Sequence, residues 1–178
     1  MVPVVLLSQN PDRLAKRFYE TLSRYEKTTV FSPGYVALPD DSAKFAIIGT
    51  GQLESYNAPF GVLVIHDPPP TAKRLKLSRG IVPLIVSDSR RSRRLLRDCE
   101  NPTVCCGMSQ RDTLTLSSIT GDRALVCVRR SIELPGTELD EREIGVDIGQ
   151  PCDADTVMLL TAALLIGGVE PPDSGFLI

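Results

Sequence analysis

The chain has 178 residues, of which 42% are hydrophobic and 24% charged, so it can bury a sizeable core and is expected to form one domain over residues 1–178. Its 20 Lys and Arg residues against 22 Asp and Glu give a net charge of -2, which argues against a protein that coats nucleic acid. No apolar run approaches the roughly 18 residues that span a bilayer, and no secretory leader is recognisable. We therefore expect a cytoplasmic protein that does not contact membranes.

Cysteine and histidine are too few and too scattered to predict a disulfide framework or a metal centre. The cysteines are odd in number and include no C-x-x-C pair, and the single histidine is far in sequence from the two adjacent cysteines. The residues concerned are Cys99, Cys105, Cys106, Cys127 and Cys152, with His66. We interpret the thiols as small buried side chains and predict neither a metal nor another cofactor.

Charge is distributed unevenly along the chain. Residues 73–97 contain nine Lys and Arg and one acid, whereas residues 131–178 contain ten acids and one Arg. This polarity could steer an anionic ligand to one side, could let two copies meet basic face to acidic face, or could serve solubility alone.

In chain order, the first half alternates apolar runs of strand length with a segment of helical period, which is typical of βαβ units. Residues 3–7 (PVVLL) predict a buried strand, and a helix follows with Asn10 as N-cap and Pro11 at its first position. Further strands are predicted at residues 28–31, 35–38, 44–48 (KFAII) and 61–65 (GVLVI), with a polar turn at 39–41 and a loop or short helix before residue 61.

The second half begins with three prolines at 68–70, which place a linker or an exposed helix before the next strand. That strand is predicted at 81–86, and Ser87 or Asp88 would cap the arginine-rich helix after it. The remaining predictions are a strand at 103–106, an antiparallel hairpin of residues 113–119 and 124–128, a strand at 143–148, and a helix at 154–166 that stops at Gly167-Gly168. The fold class expected is a three-layer α/β sandwich with a mostly parallel sheet and an antiparallel β-hairpin extension.

The turns that could bind phosphate lack the usual motifs. No G-x-x-x-x-G-K-[ST] is present, and the turn after the first strand is Ser8-Gln9-Asn10-Pro11, without glycine or lysine. Gly49-Thr50-Gly51 resembles the start of a dinucleotide fingerprint, but position 54 is Glu, so we interpret it as a plain turn.

Several segments resemble the ATP-binding central domain of Mur ligases. They are the strand IVPLIVSDS with its arginine-flanked helix, Thr103 to Ser109 (TVCCGMS), Asp112 to Ile119, Leu134-Pro135-Gly136, and the helix of residues 153–168 closing in Gly168-Val169-Glu170-Pro171, with KFAII and GVLVI at the places of two central strands. The resemblance implies a bacterial, Rossmann-like domain and a link to cell-wall precursor metabolism.

The departures from that family concern its ATP-binding groups. The Ser8 to Pro11 turn stands where the family has a P-loop, and Gly49 stands where a magnesium-binding Glu should end the KFAII strand. An ATP-dependent ligase is therefore not expected, because nothing would hold the γ-phosphate or its Mg²⁺. We predict a non-catalytic, Mur-ligase-like domain, a pseudoenzyme.

Three functions follow from this interpretation. The first is binding of a small anionic ligand or a protein partner, a homodimer included, through Ser87, Asp88, Arg90, Arg91 and Arg94. The second is a small cysteine-dependent enzyme that uses Cys105 or Cys106 with His66. The third, nucleic-acid binding by residues 73–97, ranks last because no aromatic residue lies between Phe60 and Phe176 to stack on bases.

Overall fold

The computed structural model describes residues 1–39 and 42–178, so part of the predicted turn at 39–41, namely Asp40 and Asp41, lies outside the described residues. In chain order the elements are β1 (Val2–Leu7), α1 (Pro11–Leu22), β2 (Thr28–Ser32), β3 (Tyr35–Ala37), β4 (Phe45–Thr50), β5 (Ser55–Tyr56), β6 (Gly61–Ile65), β7 (Lys76–Leu77), β8 (Ile81–Val86), α2 (Arg90–Leu95), β9 (Val104–Cys106), β10 (Leu114–Thr120), β11 (Arg123–Val128), β12 (Ile132–Leu134), β13 (Thr137–Leu139), β14 (Arg142–Asp147), α3 (Ala154–Ile166) and β15 (Phe176–Leu177).

The main sheet has the strand order β15-β14-β11-β10-β9-β8-β6-β1-β4-β2-β3. Its centre, from β2 through β10, is parallel. The middle strands β1, β6 and β8 are mostly buried on both faces, which is why they read in the sequence as continuous apolar runs. The β10–β11 hairpin and β14 continue the sheet in antiparallel pairing, and β3 pairs antiparallel at the opposite edge. The predicted α/β class, with a mostly parallel sheet and an antiparallel hairpin, is confirmed.

Helices cover the two faces of the sheet unequally. α1 and α3 lie on one face, over a large core that includes Phe18, Phe45 and most of α3. The other face is covered by α2 and the segments around Leu53 and Leu75, which form a smaller apolar cluster. These layers make a sandwich whose second cover is thin.

Helix α3 packs on the first face of the sheet, over β6, β8, β9 and β10. It starts after Asp153, and its predicted boundaries, residues 154–166, are those observed. It ends at Gly167, whose added Cβ would collide with the Phe45 ring, and Gly168 follows with φ +71, a left-handed conformation that favours glycine. Lys44 Nζ donates to the Gly168 carbonyl at 3.3 Å, so the helix ends beside the start of β4.

Two local predictions were wrong. The segment after the three prolines is neither a linker nor an exposed helix: it contains β7, which pairs with the unpredicted β5. The N-cap of α2 is Ser89, whose Oγ accepts the Ser92 backbone N–H, and not Ser87 or Asp88. Two-residue strands are too short to show an alternating pattern, and three serine or aspartate candidates in a row leave the cap ambiguous.

Within the described residues, no helix is long and apolar enough to cross a membrane.

Candidate functional site

A cleft of about 840 Å³ opens where β1 and β6 end and where α1 and α3 begin. The residues that line this cleft, which we call the edge cleft, are Ser8, Asn10, Arg13, Leu14, Lys16, Arg17, Glu20, His66, Asp67, Gln150, Pro151, Cys152, Asp153 and Thr156. The carboxyl ends of parallel strands are where α/β sheets place their ligand sites, and the volume suits a small molecule.

The turn after β1 forms the floor of the edge cleft and is tied to the end of β6. The Gln9 backbone N–H donates to the Asp67 carbonyl at 2.9 Å, and Gln9 Nε2 donates to Asp67 Oδ1 at 2.8 Å. Ser8 Oγ accepts the Asn10 backbone N–H at 3.2 Å. These bonds hold together two strand ends that are far apart in the chain.

Helix α1 supplies the positive charge of the cleft. Asn10 is its N-cap residue but makes no side-chain cap, so the first N–H groups of the helix have no partner from that side chain. Asp12 lies in the first turn, yet its carboxylate accepts from Ser32 Oγ at 2.5 Å and from the Gly34 N–H at 2.8 Å, beside the β2–β3 turn. Arg13 lines the cleft, is exposed, and has no ion pair in the part of the chain that the structure describes.

Arg17 closes one wall of the cleft. Its Nη1 donates to Gln150 Oε1 and its Nη2 to the Gln150 carbonyl, both at 3.0 Å. This contact fastens α1 to the segment that leads into α3. Burial raises the pKa of the neighbouring Cys152 thiol, while the Arg17 charge acts in the opposite direction, so this thiol stays protonated at neutral pH.

An imidazole and two carboxylates come together at the edge of the cleft. One ligand atom each of His66, Asp153 and Asp155 lies within 4.8 Å of the other two. Asp153 caps α3: its Oδ1 accepts the Thr156 N–H at 2.8 Å and its Oδ2 accepts Thr156 Oγ1 at 2.9 Å. Burial favours the neutral form of Asp153, but these bonds together with His66 keep its pKa below the usual range. Burial, and then the charge of Asp153, raise the pKa of Asp155.

The residues predicted from the sequence as a binding site are only partly brought together. Ser87 Oγ donates to Asp112 Oδ2 at 3.0 Å, and the same oxygen accepts the Ser109 N–H at 2.8 Å, so both side chains stabilise adjacent turns. Asp88 is exposed and is near enough to Asp155 to act on its charge. The three predicted arginines, Arg90, Arg91 and Arg94, are exposed on α2 and do not line the edge cleft.

The two adjacent cysteines are poorly suited to nucleophilic chemistry. Cys106 is fully buried, and burial raises its pKa far above the ordinary value. Burial and the charge of Asp112 raise the pKa of Cys105, against weaker effects of Arg130 and Arg93. Both thiols therefore stay protonated near neutral pH, which is the opposite of an activated cysteine.

Sequence reasoning missed the edge cleft because its parts are distant in the chain. Arg17 and Gln150 are 133 positions apart, and only the sheet order places them in contact. A partial signal existed: His66 directly follows an apolar strand, and Asp153 directly precedes an apolar helix. Such positions collect at sheet edges, but the sequence does not show which strand end meets which helix.

The fold and site together define an α/β domain with a cleft at the carboxyl edge of a parallel sheet. Neither a protein-family model nor a curated protein matches the chain. Among solved structures, the chain is similar to the crystal structure of MurF ligase from Thermotoga maritima in complex with ADP, with 9% identity and a TM-score of 0.44. The match covers 93% of this chain and 44% of that one, so the chain spans less than half of the ligase's length.

Proposed function

We propose that residues 1–178 act as one non-catalytic domain that binds a small anionic ligand in the edge cleft. The observation that carries this proposal is the placement of α1: its N-terminus and three of its basic side chains, Arg13, Lys16 and Arg17, all border a cleft of ligand size. Helix N-termini attract anions because their N–H groups are unpaired and the helix dipole is positive there.

The three basic side chains of α1 differ in whether another protein group already binds them, and so in how readily each can contact an anion. Lys16 lies 4.0 Å from Glu20, an exposed ion pair that water screens strongly. Arg17 keeps its contact with Gln150 and so presents a positioned charge. Arg13 has no ion pair among residues 1–39 and 42–178, and we assign it the direct contact with the anion.

Absence of ligase activity is part of this proposal. The Ser8 to Pro11 turn offers neither the glycines that let backbone amides surround a triphosphate nor a lysine that reaches its far phosphates. An incubation with ATP and Mg²⁺ should therefore give no turnover. The link to cell-wall precursor metabolism, which rests on the sequence resemblance, stays a prediction.

Ligand binding is tested by thermal shift and by titration calorimetry with inorganic phosphate, ADP and a uridine diphosphate sugar. At least one probe should raise the unfolding midpoint, since a ligand that binds the folded state stabilises it. Arg13→Gln should weaken binding about tenfold, as expected for one charged hydrogen bond. The matched control replaces Arg90, Arg91 and Arg94 with Gln and should change affinity less than twofold. No binding of any probe would contradict the proposal, and loss of binding in the control alone would move the site to α2.

A second candidate function is association with a protein partner, and we propose a second copy of this chain as that partner. The second face of the sheet leaves an apolar row uncovered at its β3 edge: Phe31 is in register with Val36 and with Ile48. These side chains are 45%, 59% and 41% exposed respectively. A patch at an open sheet edge can meet its own copy across a two-fold axis, so that one contact covers both.

Sedimentation velocity over a range of concentrations tests this association. A dimer should form, and Phe31→Ser should shift it toward monomer. Ile119→Ser is the control, because Ile119 is similarly exposed, at 49%, but lies on β10. A monomer at every concentration would contradict the self-association.

The cysteine-enzyme alternative, with Cys105 or Cys106 acting with His66, receives no support from the geometry. His66 lines the edge cleft and lies near Asp153 and Asp155, whereas neither cysteine lines that cleft. The raised pKa values of both thiols also disfavour a thiolate.

A further inference from the structure

We propose that His66, Asp153 and Asp155 bind a divalent transition-metal cation at the edge of the cleft. The proposal goes beyond anion binding and does not depend on it. The three ligand atoms come from two elements that only the fold brings together: His66 directly follows β6, while Asp153 and Asp155 belong to the start of α3.

The three donors are within 4.8 Å of one another but do not bind each other directly. In residues 1–39 and 42–178, the His66 side chain makes no hydrogen bond and no ion pair. Asp153 uses each carboxylate oxygen once, to cap α3, and a carboxylate oxygen can accept a second partner. Each of the three groups therefore retains a lone pair for a cation.

The electrostatics of the cluster also favour a cation. Asp153 and Asp155 face each other across a short gap, and Asp88 is close enough to add to their repulsion. The positive end of the α3 dipole opposes a cation here, but it amounts to only about half a charge, less than the two carboxylates. A bound cation would remove the repulsion that burial of Asp155 makes more costly.

The donor set indicates the kind of metal. Imidazole with carboxylates suits Mn²⁺, Co²⁺ or Zn²⁺, whereas Mg²⁺ and Ca²⁺ prefer all-oxygen ligands. Three protein ligands leave at least one position of the metal open, as in sites that bind a further ligand. His66 and Asp153 line the edge cleft, so the metal would lie beside the space in which an anion would bind.

The test uses the full chain, stripped of metal with a chelator and then titrated with Mn²⁺. Mn²⁺ is chosen because its preference for oxygen and nitrogen keeps it off the five free cysteines. Loss of the electron paramagnetic resonance signal of aqueous Mn²⁺ should show one equivalent bound per chain. A Co²⁺ titration should give a visible spectrum without a thiolate charge-transfer band.

Variants decide whether these residues are the ligands. His66→Gln and Asp155→Asn should each weaken Mn²⁺ binding about tenfold or more. Asp140→Asn is the control, because Asp140 is an exposed carboxylate outside both the cluster and the edge cleft, and it should change the affinity less than twofold. Circular dichroism melts of the metal-free variants check that they fold. Absence of saturable binding of one equivalent, or equal affinity in wild type, His66→Gln and Asp155→Asn, would overturn the proposal.

Discussion

Removing the carboxylate of Asp153 should destabilise the protein through α3. Its two oxygens accept the Thr156 N–H at 2.8 Å and Thr156 Oγ1 at 2.9 Å, and its own carbonyl accepts the Val157 N–H at 3.1 Å. Replacing such a cap with Ala costs about 0.5–2 kcal/mol. Every residue from Thr156 to Ile166 is buried, so the helix cannot shift to find another cap. We therefore expect Asp153→Ala to cost about 1–2 kcal/mol, in the upper part of that range.

The variant Asp153→Asn separates two contributions of Asp153 to stability, the capping hydrogen bonds and the negative charge. Asn caps as well as Asp, and its Nδ2 can donate to Thr156 Oγ1 in place of the lost acceptor, so the main loss should be the interaction of the charge with the helix dipole, about 0.3–1 kcal/mol before screening. The free energy of unfolding is measured by urea denaturation with a chelator present, so that no metal contributes. For a chain of this size the Asp153→Ala cost corresponds to a fall of about 2–8 °C in the melting temperature. Wild-type stability of Asp153→Ala, or equal losses in both variants, would refute the capping argument.

Three further outcomes are expected. The hydrogen bonds from Ser32 and Gly34 lower the pKa of Asp12. Wild type should therefore be more stable than Asp12→Asn above about pH 4, and this difference should disappear as the pH falls through the lowered pKa. Urea denaturation curves at several pH values measure the difference in the free energy of unfolding. Cys106 should react with an aromatic disulfide reagent at neutral pH only after unfolding, and fast reaction of this thiol in the native protein would contradict its burial. Gly168→Ala should cost about 1 kcal/mol, because the residue has φ +71, and a melting temperature equal to wild type would contradict this.

Much of the fold could be predicted from the sequence because its central strands are buried on both faces. Such strands read as unbroken apolar runs, as β1, β6 and β8 do, and the helix between β1 and β2 shows a clear amphipathic period. What the sequence did not show were contacts of two or three residues, such as β5 with β7. These depend on where the loops lie over the sheet, which no local pattern encodes.

The candidate site was harder to predict, because a segment rich in charged residues does not show which of those residues line a cleft. The arginines of α2 stand out in the sequence, yet they are exposed on a short helix. Arg13 and Arg17 are inconspicuous, since an amphipathic helix has polar residues on one side whatever that side faces. Their position beside a cleft follows from the contact between α1 and Gln150, which the order of the strands creates.

Helices α1 and α3 both start at this edge of the sheet, but the charges around their N-termini are opposite in sign because their caps differ. The N-terminus of α3 is capped by Asp153, so its first donors are satisfied within the helix and its carboxylates contribute negative charge. The N-terminus of α1 has no side-chain cap, the carboxylate of Asp12 in its first turn is held by Ser32 and Gly34, and Arg13 and Arg17 of this helix line the cleft. One half of the edge cleft is therefore suited to an anion and the other half to a cation. A glycine-rich turn is one way to present backbone donors to an anion, and an uncapped helix beside two arginines is another.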